Sequence, residues 1–512
     1  MLSDQYGVPA ADIDNLEVLS SILELVPAEM ARRYLLVPVQ VDEKVLEVAM
    51  VDPTDVVAMD DLKFATGLRI QPMVAAERAV TEAIERLYGA QDDNQISQMM
   101  NDLTSELNSP GELEIVDTDE NIDLESLSAA SGEAPEKSLA WVSACSGNGD
   151  CIDACQDGVN PRFMIKLARL AQNKKRDIQT IRADGKARFQ KMARSVRVIS
   201  RLQLTTEELF RLTRAPRQLD SEPDPNVVFY TGCNVLKTPH IALLCLDVMD
   251  RIGARYAVFG GPSNCCGILQ MRAGDAASAG RQGGRTLDRF FGTGADEVLS
   301  WCPTCDVQLG EAMLPSQPSN GAFGMTMFSV YLARKLDALK EHFVHRVEKR
   351  VGLHEHSGTN GVTASVRTLL RAIPGLEFVE LDQPAAGYAC TALAGTPDFK
   401  RDLHAEQLRA AEAAGVTTLA GIYHSCHRDF CAHEREWPFE VVNFMELIGE
   451  AMGLYRPDLF KRLKLMQDVD AVIAECGDMI ERHKLDRDEV RDVILNDMFG
   501  EQTLPLDRSL IS

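Results

Sequence analysis

Thiols that could hold a metal centre dominate the middle of the chain. Five cysteines with the spacing C-x31-CC-x35-C-x2-C lie in the segments YTGC, NCCG and WCPTC: Cys233, Cys265, Cys266, Cys302 and Cys305. Thiolates hold iron-sulfur clusters, and the neighbouring glycines leave the backbone room to wrap an inorganic core. A structural zinc ion takes four ligands, so five thiols with an adjacent pair suit it poorly. The spacing therefore favours an iron-sulfur cluster over a zinc knuckle or thiols buried by chance.

A second group of three cysteines precedes the first: Cys145, Cys151 and Cys155. Ferredoxin-type runs read C-x2-C-x2-C-x3-C, and on that template Asn148 occupies the second ligand position. Three interpretations stay open. The run holds a 4Fe-4S cluster completed by Asn148, Asp150 or an outside ligand, it holds a 3Fe-4S cluster, or it holds no cluster.

A third set of donors lies nearer the carboxyl terminus. Around Cys390 and Cys426 the sequence gathers several further thiol and imidazole side chains: His354, His356, His424, His427, Cys431 and His433. Thiolates and imidazoles at four positions suit a tetrahedral zinc ion. We predict zinc here, with Cys390, Cys426, Cys431 and His424 as candidate ligands. The alternative is an empty scaffold whose histidines are exposed or hydrogen-bonded.

The third set belongs to a degenerate repeat of the five-cysteine segment. Laying LHEHS, GYAC and YHSCHRD over the first motif, with its spacings kept, aligns five residues with its ligands: Ser357, Ala389, Cys390, Cys426 and Asp429. Flanking helix and strand patterns support this register. Only two thiols remain, so we predict no five-thiolate cluster there. The intact and degenerate domains are predicted over 223–345 and 346–455.

The remaining segments are expected to position or connect these groups. Residues 1–90 alternate short apolar strands with amphipathic helices, which predicts a small α+β domain. Residues 91–136 contain no Lys or Arg, and a flexible acidic linker is predicted over 91–137. A helical domain is predicted over 138–222. Helices are also predicted over 456–512, with Asp486 as a cap.

Composition narrows the function. The net charge of −24 disfavours nucleic acid and anionic membrane surfaces as partners. We see neither a secretory signal nor an apolar run long enough to span a membrane, so a cytoplasmic protein with reduced thiols is expected. The lone thiols Cys245 and Cys476 lie in apolar helical patterns and are predicted to be core residues.

The five-cysteine segment resembles the CCG domain of the heterodisulfide reductase B subunit. The three-cysteine run, with CQDGVNP and a following helical stretch, resembles the second cluster motif of the C subunit. The resemblance implies a non-cubane 4Fe-4S cluster at the five cysteines, which become the catalytic residues, and a cluster-binding role for Cys145, Cys151, Cys155 and Asn148. It also implies partners of the flavin and iron-sulfur subunit type.

The N-terminal segment resembles the N-terminal domain of type II secretion and type IV pilus assembly ATPases. The resemblance rests on YLLVPVQVDEKVLEVAMVDPTD and the helices after it, and ELEIVDTDENIDLESL is similar to the linker of those ATPases. No Walker motif follows, so we expect a docking domain rather than an ATPase.

Together these patterns predict an α/β multidomain protein. It has a small α+β N-terminal domain, a helical ferredoxin-like segment and duplicated α/β CCG domains. The function hypothesis is an iron-sulfur electron-transfer and catalytic subunit of a heterodisulfide-reductase-like complex, acting on a disulfide, thiol or organosulfur substrate. The alternative is a non-catalytic electron relay or assembly adaptor recruited through the N-terminal domain.

Overall fold

The computed structural model describes parts of residues 8–87, residues 136–213 apart from 157, 174 and 175, and residues 225–316, 323–358 and 361–511. The chain has two units, Met1–Asp119 and Glu120–Ser512. The predicted acidic linker lies outside the described residues except for its last two positions. Within the described part of the chain, no helix is long and apolar enough to cross a membrane.

The N-terminal unit is built on a three-stranded sheet. β1 (Leu36–Asp42) pairs antiparallel with β2 (Val45–Met50), and β2 pairs parallel with β3 (Arg69–Val74). The short helix Ser20–Leu23 contacts β1. Apolar residues of the strands share one core with helical residues on either side, including Leu62 and Val80. This is the small α+β domain that the sequence predicts.

The five-cysteine segment forms a four-stranded parallel sheet. Its strands are β4 (Val227–Gly232), β5 (Tyr256–Gly260), β6 (Glu297–Ser300) and β7 (Gly324–Met327), and their order in the sheet is β5-β4-β6-β7. Every residue of β4 is buried, as is typical of a parallel sheet that is covered on both faces. Helices run between and after the strands: Pro239–Arg251, Ile268–Ala273, Ala276–Phe291, Phe328–Arg334 and Leu336–Lys340.

The degenerate segment repeats this sheet. Its strands are β8 (Arg350–His354), β9 (Glu377–Val379), β10 (Thr418–Gly421) and β11 (Glu440–Asn443), again all parallel, in the order β9-β8-β10-β11. In both sheets the first strand along the chain lies between the second and the third. The main crossover and flanking helices are Val362–Ala372, Pro397–Ala413, His424–Phe430 and Phe444–Ala451. The predicted duplication of an α/β domain is therefore confirmed.

Helices precede the first sheet and connect distant parts of the unit. They are Glu136–Ala144, Asp150–Asp153, Pro161–Asn173, Ile178–Arg201 and Thr206–Thr213. The Asp177 side chain caps the longest of them by accepting from the Thr180 amide. With 24 residues this helix is about 36 Å long, so it reaches from the first repeat to the C-terminal helices.

The C-terminal helices pack on the degenerate repeat. They are Leu459–Met466, Val469–Glu475, Gly477–Arg482 and Arg487–Val493. Asp486 caps the last of these helices, as predicted, by accepting from the Glu489 amide. Cys476 is buried in their core and Cys245 in the core of the first repeat, which confirms both as packing residues.

Candidate metal centres

Five thiols meet at the carboxyl edge of the first sheet. Because the carboxyl ends of parallel strands lie at one edge, the loops after β4, β5 and β6 bring their cysteines together. Side-chain contacts link Cys233 to Cys265, Cys265 to Cys266, Cys266 to Cys305 and Cys305 to Cys302. The structure thus assembles all five predicted ligands. Among the described residues, the five sulfurs do not all lie within 4.8 Å of one another. They are therefore spread more widely than the ligands of a single ion.

The backbone around these thiols fits a bulky centre. Gly232 and Gly267 have φ values of +72° and +80°, in the region that favours glycine. A Cβ at Gly232 would lie 3.3 Å from Cys302 Cβ and 3.4 Å from Cys305 Sγ. The amide of Gly267 donates to Cys265 Sγ at 3.5 Å. Close backbone approach and amide donors to sulfur are the features that an iron-sulfur cluster requires.

Contact between the thiols sets their charge. The hydrogen bond with Cys265 raises the pKa of Cys266 to about 12, and that with Cys233 raises the pKa of Cys265. Contact with Cys305 lowers the pKa of Cys302, whereas contacts with Cys266 and then Cys302 raise that of Cys305. Raised thiol pKa values at Cys265, Cys266 and Cys305 mean that a bound metal centre would displace protons from these sulfurs.

The three-cysteine run forms a loop that contains the short helix Asp150–Asp153, in which Cys151 lies. Cys145 follows the helix Glu136–Ala144 and accepts from the Gly147 amide at 3.4 Å. Cys151 is exposed; partial burial and then the neighbouring Cys145 raise its pKa. The Asn148 amide donates to the Asp150 carboxylate, so these two candidate fourth ligands contact each other. Neither Asn148 nor Asp150 forms a hydrogen bond with a cysteine side chain in the described structure.

This loop packs between the two repeats. A Cβ at Gly358 would lie 0.9 Å from the carbonyl oxygen of Asn148, so only glycine fits there. Arg162 is 5% exposed and donates to the carbonyl oxygens of Gly147 at 2.9 Å and Gly358 at 2.8 Å. It also pairs with Glu311 of the first repeat. One guanidinium therefore ties the three-cysteine loop to both repeats.

The degenerate repeat gathers a different donor set. One ligand atom each of His354, His356, Cys390 and Cys426 lies within 4.8 Å of the others, and all four side chains are buried. The cysteines come from two of the aligned ligand positions. The histidines belong to the HEH sequence at the end of β8, in the place where Cys233 follows β4.

The distances in this group are close to those around one tetrahedral ion. His354 Nε2 is 3.3 Å from Cys390 Sγ, and His356 Nε2 is 3.0 Å from Cys426 Sγ and 3.7 Å from Cys390 Sγ. The two sulfurs are 3.8 Å apart. Zinc bonds of about 2.3 Å to sulfur and about 2.0–2.1 Å to nitrogen place tetrahedral ligands about 3.3–3.8 Å from each other. Three of the four distances lie in this range, and the 3.0 Å contact between His356 and Cys426 is shorter. The donor set and its spacing fit zinc.

A second layer of hydrogen bonds orients both imidazoles. His354 Nδ1 lies 3.1 Å from Gln407 Oε1, and His356 Nδ1 lies 3.3 Å from the carbonyl oxygen of Ala386. Donation at Nδ1 leaves Nε2 unprotonated and facing the sulfurs, as in many zinc sites. Burial opposes a charged thiol, but the Cys390 hydrogen bond and His356 lower the pKa of Cys426 well below its usual value.

The other aligned and predicted residues lie outside this group. Asp429 pairs with Lys400 at 2.9 Å, while Ala389 carries no donor and Ser357 Oγ has no hydrogen-bond partner. His424 and Cys431 do not join it either, so the structure groups Cys390 and Cys426 with other imidazoles than our candidate ligand set. Cys431 is buried in an apolar core, and burial lowers the pKa of His424 to about 3. The H-x-H spacing just before Ser357 is the sequence signal that could have pointed to His354 and His356.

A basic cavity lies where the three-cysteine loop meets both repeats. Its volume is about 340 Å³, and Cys145, Ile268 and Met271 form part of its wall. Five cations also line it: Arg162, Lys166, Arg169, Arg188 and Arg272. Burial lowers the pKa of Lys166 to about 8, and its Nζ donates to the carbonyl oxygen of Val307. Lys166 and Arg169 of the helix Pro161–Asn173 therefore line a cavity.

Comparison with known proteins identifies segments at two places in the chain. Residues 6–94 match the MshEN domain, and residues 227–310 match the cysteine-rich domain, CCG. The type IV pilus assembly ATPase PilB of Myxococcus xanthus is 49% identical over 87 residues, which are 17% of this chain and 15% of PilB. A solved structure of MshE with cdg covers 17% of this chain and 62% of its own, at 24% identity and a TM-score of 0.16.

The larger part of the chain is similar to components of reductases. The D subunit of the dihydromethanophenazine:CoB--CoM heterodisulfide reductase of Methanosarcina mazei is 24% identical over 337 residues, covering 61% of this chain and 78% of that protein. The B subunit of the fumarate reductase (CoM/CoB) of Methanothermobacter marburgensis is 26% identical and covers 45% of this chain and 47% of that protein. Both predicted resemblances are confirmed: an MshEN segment and a heterodisulfide-reductase-like CCG segment share one chain.

Proposed function

We propose that this protein is an iron-sulfur electron-transfer and catalytic subunit of a heterodisulfide-reductase-like complex. The observation that carries the proposal is the string of five touching thiols at one sheet edge, with a basic cavity against the segment that follows Cys266. Similarity to reductase subunits over more than half of the chain supports the same function.

The chain supplies the ligands and the surroundings of two clusters. Cys233, Cys265, Cys266, Cys302 and Cys305 would hold a non-cubane 4Fe-4S cluster. Cys145, Cys151 and Cys155 would hold a 4Fe-4S or 3Fe-4S cluster, with Asn148 or Asp150 as a further ligand. Bound clusters supply one-electron steps, and the protein sets their potential through amide hydrogen bonds and burial. Electrons would arrive from a flavin or iron-sulfur partner subunit, within the cytoplasm.

The basic cavity supports an anionic sulfur substrate. Five cations around about 340 Å³ raise the local concentration of anions and stabilise the thiolates that disulfide cleavage produces. Lys166 Nζ, with its pKa lowered to about 8, can also deliver a proton to such a thiolate. Arg162 and Arg169 hold carbonyl oxygens of the three-cysteine loop and so keep that loop on the cavity wall.

In the degenerate repeat we propose a zinc ion held by His354, His356, Cys390 and Cys426. Four protein ligands close the coordination sphere, which is typical of a structural site rather than a catalytic one. The ion would hold the ends of β8 and β10 together where the first repeat has a cluster.

Disulfide reduction tests the proposal. Full-length protein, purified without oxygen and supplied with electrons from reduced viologen, should reduce a disulfide, and Cys265→Ser should abolish that turnover. Cys476→Ser is the matched control, because it replaces a buried thiol in the C-terminal helices. Iron-loaded protein that reduces neither anionic nor neutral disulfides, alone or with partner subunits, would contradict the catalytic role.

The alternative function is a non-catalytic relay or assembly adaptor recruited through the N-terminal domain. The observation that favours it is the MshEN match over residues 6–94, a domain that the reductase similarity does not require. Such a protein would bind iron and exchange electrons with a partner but convert no sulfur substrate. The same turnover assay separates the two functions.

A further inference from the structure

A second group of metal-ligating side chains lies at the junction of the two repeats. His240 is in the helix Pro239–Arg251 of the first repeat, whereas His427, Glu446 and Asp458 belong to or follow the second. One ligand atom of each residue lies within 4.8 Å of the others. His240 is 3% exposed and His427 is fully buried. None of these residues belongs to the cluster ligands or to the Cys2His2 group.

The imidazole of His240 has no hydrogen bond although it is buried. Its Nε2 is 3.6 Å from Glu446 Oε1, and its Nδ1 is 3.5 Å from Asp458 Oδ1. These separations are too long for hydrogen bonds. They are close to the spacing of about 3.3–3.5 Å between nitrogen and oxygen atoms that share one tetrahedral ion with bonds of about 2.0–2.2 Å. Buried polar nitrogens without hydrogen-bond partners are uncommon, so a ligand of the His240 ring would explain its position.

The negative charges of Glu446 and Asp458 also favour a bound cation. Among the described residues, neither Glu446 nor Asp458 pairs with a lysine or arginine. Lys461 is nearby, but its Nζ donates to Glu434 at 3.0 Å and to a carbonyl oxygen. Two half-buried carboxylates side by side are costly to desolvate unless positive charge compensates them. A divalent ion with two neutral imidazoles gives a site of zero net charge.

We propose that His240, His427, Glu446 and Asp458 bind a divalent transition-metal ion that joins the two repeats. Imidazole and carboxylate donors suit zinc or iron(II), whereas magnesium and calcium take oxygen ligands. His427 Nε2 and Asp458 Oδ2 are 2.6 Å apart. An imidazole binds a metal through an unprotonated nitrogen, so this contact would be replaced by bonds to the ion. The proposal does not depend on the reductase function or on the Cys2His2 ion.

Zinc loading of the full-length protein tests this site. After loading and removal of excess zinc, His240→Gln should hold about one zinc fewer per chain than the parent protein. X-ray absorption at the zinc edge should show a smaller share of nitrogen and oxygen neighbours at about 2.0–2.1 Å and a larger share of sulfur near about 2.3 Å, because the remaining Cys2His2 ion keeps two imidazole nitrogens. Equal zinc content in parent and variant would overturn the proposal, and the group would then be a proton-bonded junction.

Two further variants separate ligand loss from misfolding. His433→Gln replaces another buried histidine, whose ring contacts Gln502 at 2.9 Å, and should keep the full zinc content. Glu446→Gln retains an acceptor for the Asn443 amide in the capping box but loses the anionic ligand, so it should lose the same zinc as His240→Gln. Retention of that zinc by Glu446→Gln in a folded chain would also overturn the site.

Discussion

The two repeats have one sheet topology and two donor sets. In both, the first strand lies between the second and the third, so the same loops meet at the same edge. The first repeat places five thiols there, whose contacts extend along a string. The second places two thiols and two imidazoles within the reach of one ion. The fold therefore determines where the donor side chains meet. Their number and type determine which metal centre they could hold.

The corresponding loops of the two repeats also pack differently. Where the first repeat has Cys233, the second has Ser357 followed by Gly358, against which the Asn148 carbonyl rests. A loop that carries one of the five thiols in the first repeat thus supports the three-cysteine loop in the second.

The largest effect should come from removing the proposed metal centre of each repeat in turn. Cys266→Ser should remove about four irons per chain and their optical signature, because it breaks the middle of the thiol string, and leave the zinc content unchanged. Cys426→Ser should lower the zinc content and leave the iron content and its optical signature unchanged. Metal analysis and visible spectra of the two variants, beside Cys476→Ser, test this. Loss of iron from Cys426→Ser in a folded chain would show that the repeats share one centre.

A next smaller effect is expected at the glycine that supports the three-cysteine loop. Gly358→Ala adds a Cβ that overlaps the Asn148 carbonyl, at a φ of +74°. We expect a loss of about 2–4 kcal/mol in the free energy of unfolding, with depletion of iron from the three-cysteine run.

Gly361→Ala is the matched control for this substitution. Its φ is +79°, but a Cβ there meets no atom within 4 Å, so only the backbone strain of about 1–2 kcal/mol should remain. Denaturant unfolding of both variants gives the comparison. Equal destabilisation would show that the loop does not rest on Gly358.

A smaller effect should follow from removing charge at the basic cavity. Lys166→Met should raise KM about tenfold, or about 1.4 kcal/mol, for an anionic disulfide such as oxidised glutathione. The neutral bis(2-hydroxyethyl) disulfide should be little affected. Arg188→Met should have a weaker effect because Arg188 is exposed, and Lys186→Met, on the same helix but outside the cavity, none. An equal loss for the neutral disulfide would refute charge recognition.

The smallest effect on either centre should come from removing the N-terminal unit. Deletion of residues 1–135 should leave iron and zinc contents unchanged, because no described ligand precedes Cys145, and should weaken association with a partner. Metal analysis and pull-down of both forms test this. Iron loss on truncation would make the domain part of the redox core, and unchanged pull-down would exclude a docking role.

Ligand spacing and strand patterns were sufficient to predict much of this molecule. The five thiols, the degenerate register and the duplicated parallel sheet follow from the sequence, because thiolate chemistry restricts the spacing and buried strands require apolar runs. The core positions of Cys245 and Cys476 followed from helical periodicity. These features depend on local pattern and on donor type.

Only the tertiary structure decided which imidazoles accompany Cys390 and Cys426. The sequence offered several histidines, and spacing alone favoured His424, which lies two residues from Cys426. The backbone places His354 and His356 at the end of β8, beside β10 and its following cysteine, and directs both Nε2 atoms at the sulfurs. The contact between His240 and His427 likewise could not be predicted from the sequence. The two residues are 187 positions apart and meet only through the packing of two domains. Long-range geometry of this kind is set by how the sheets and helices pack, and not by neighbours along the chain.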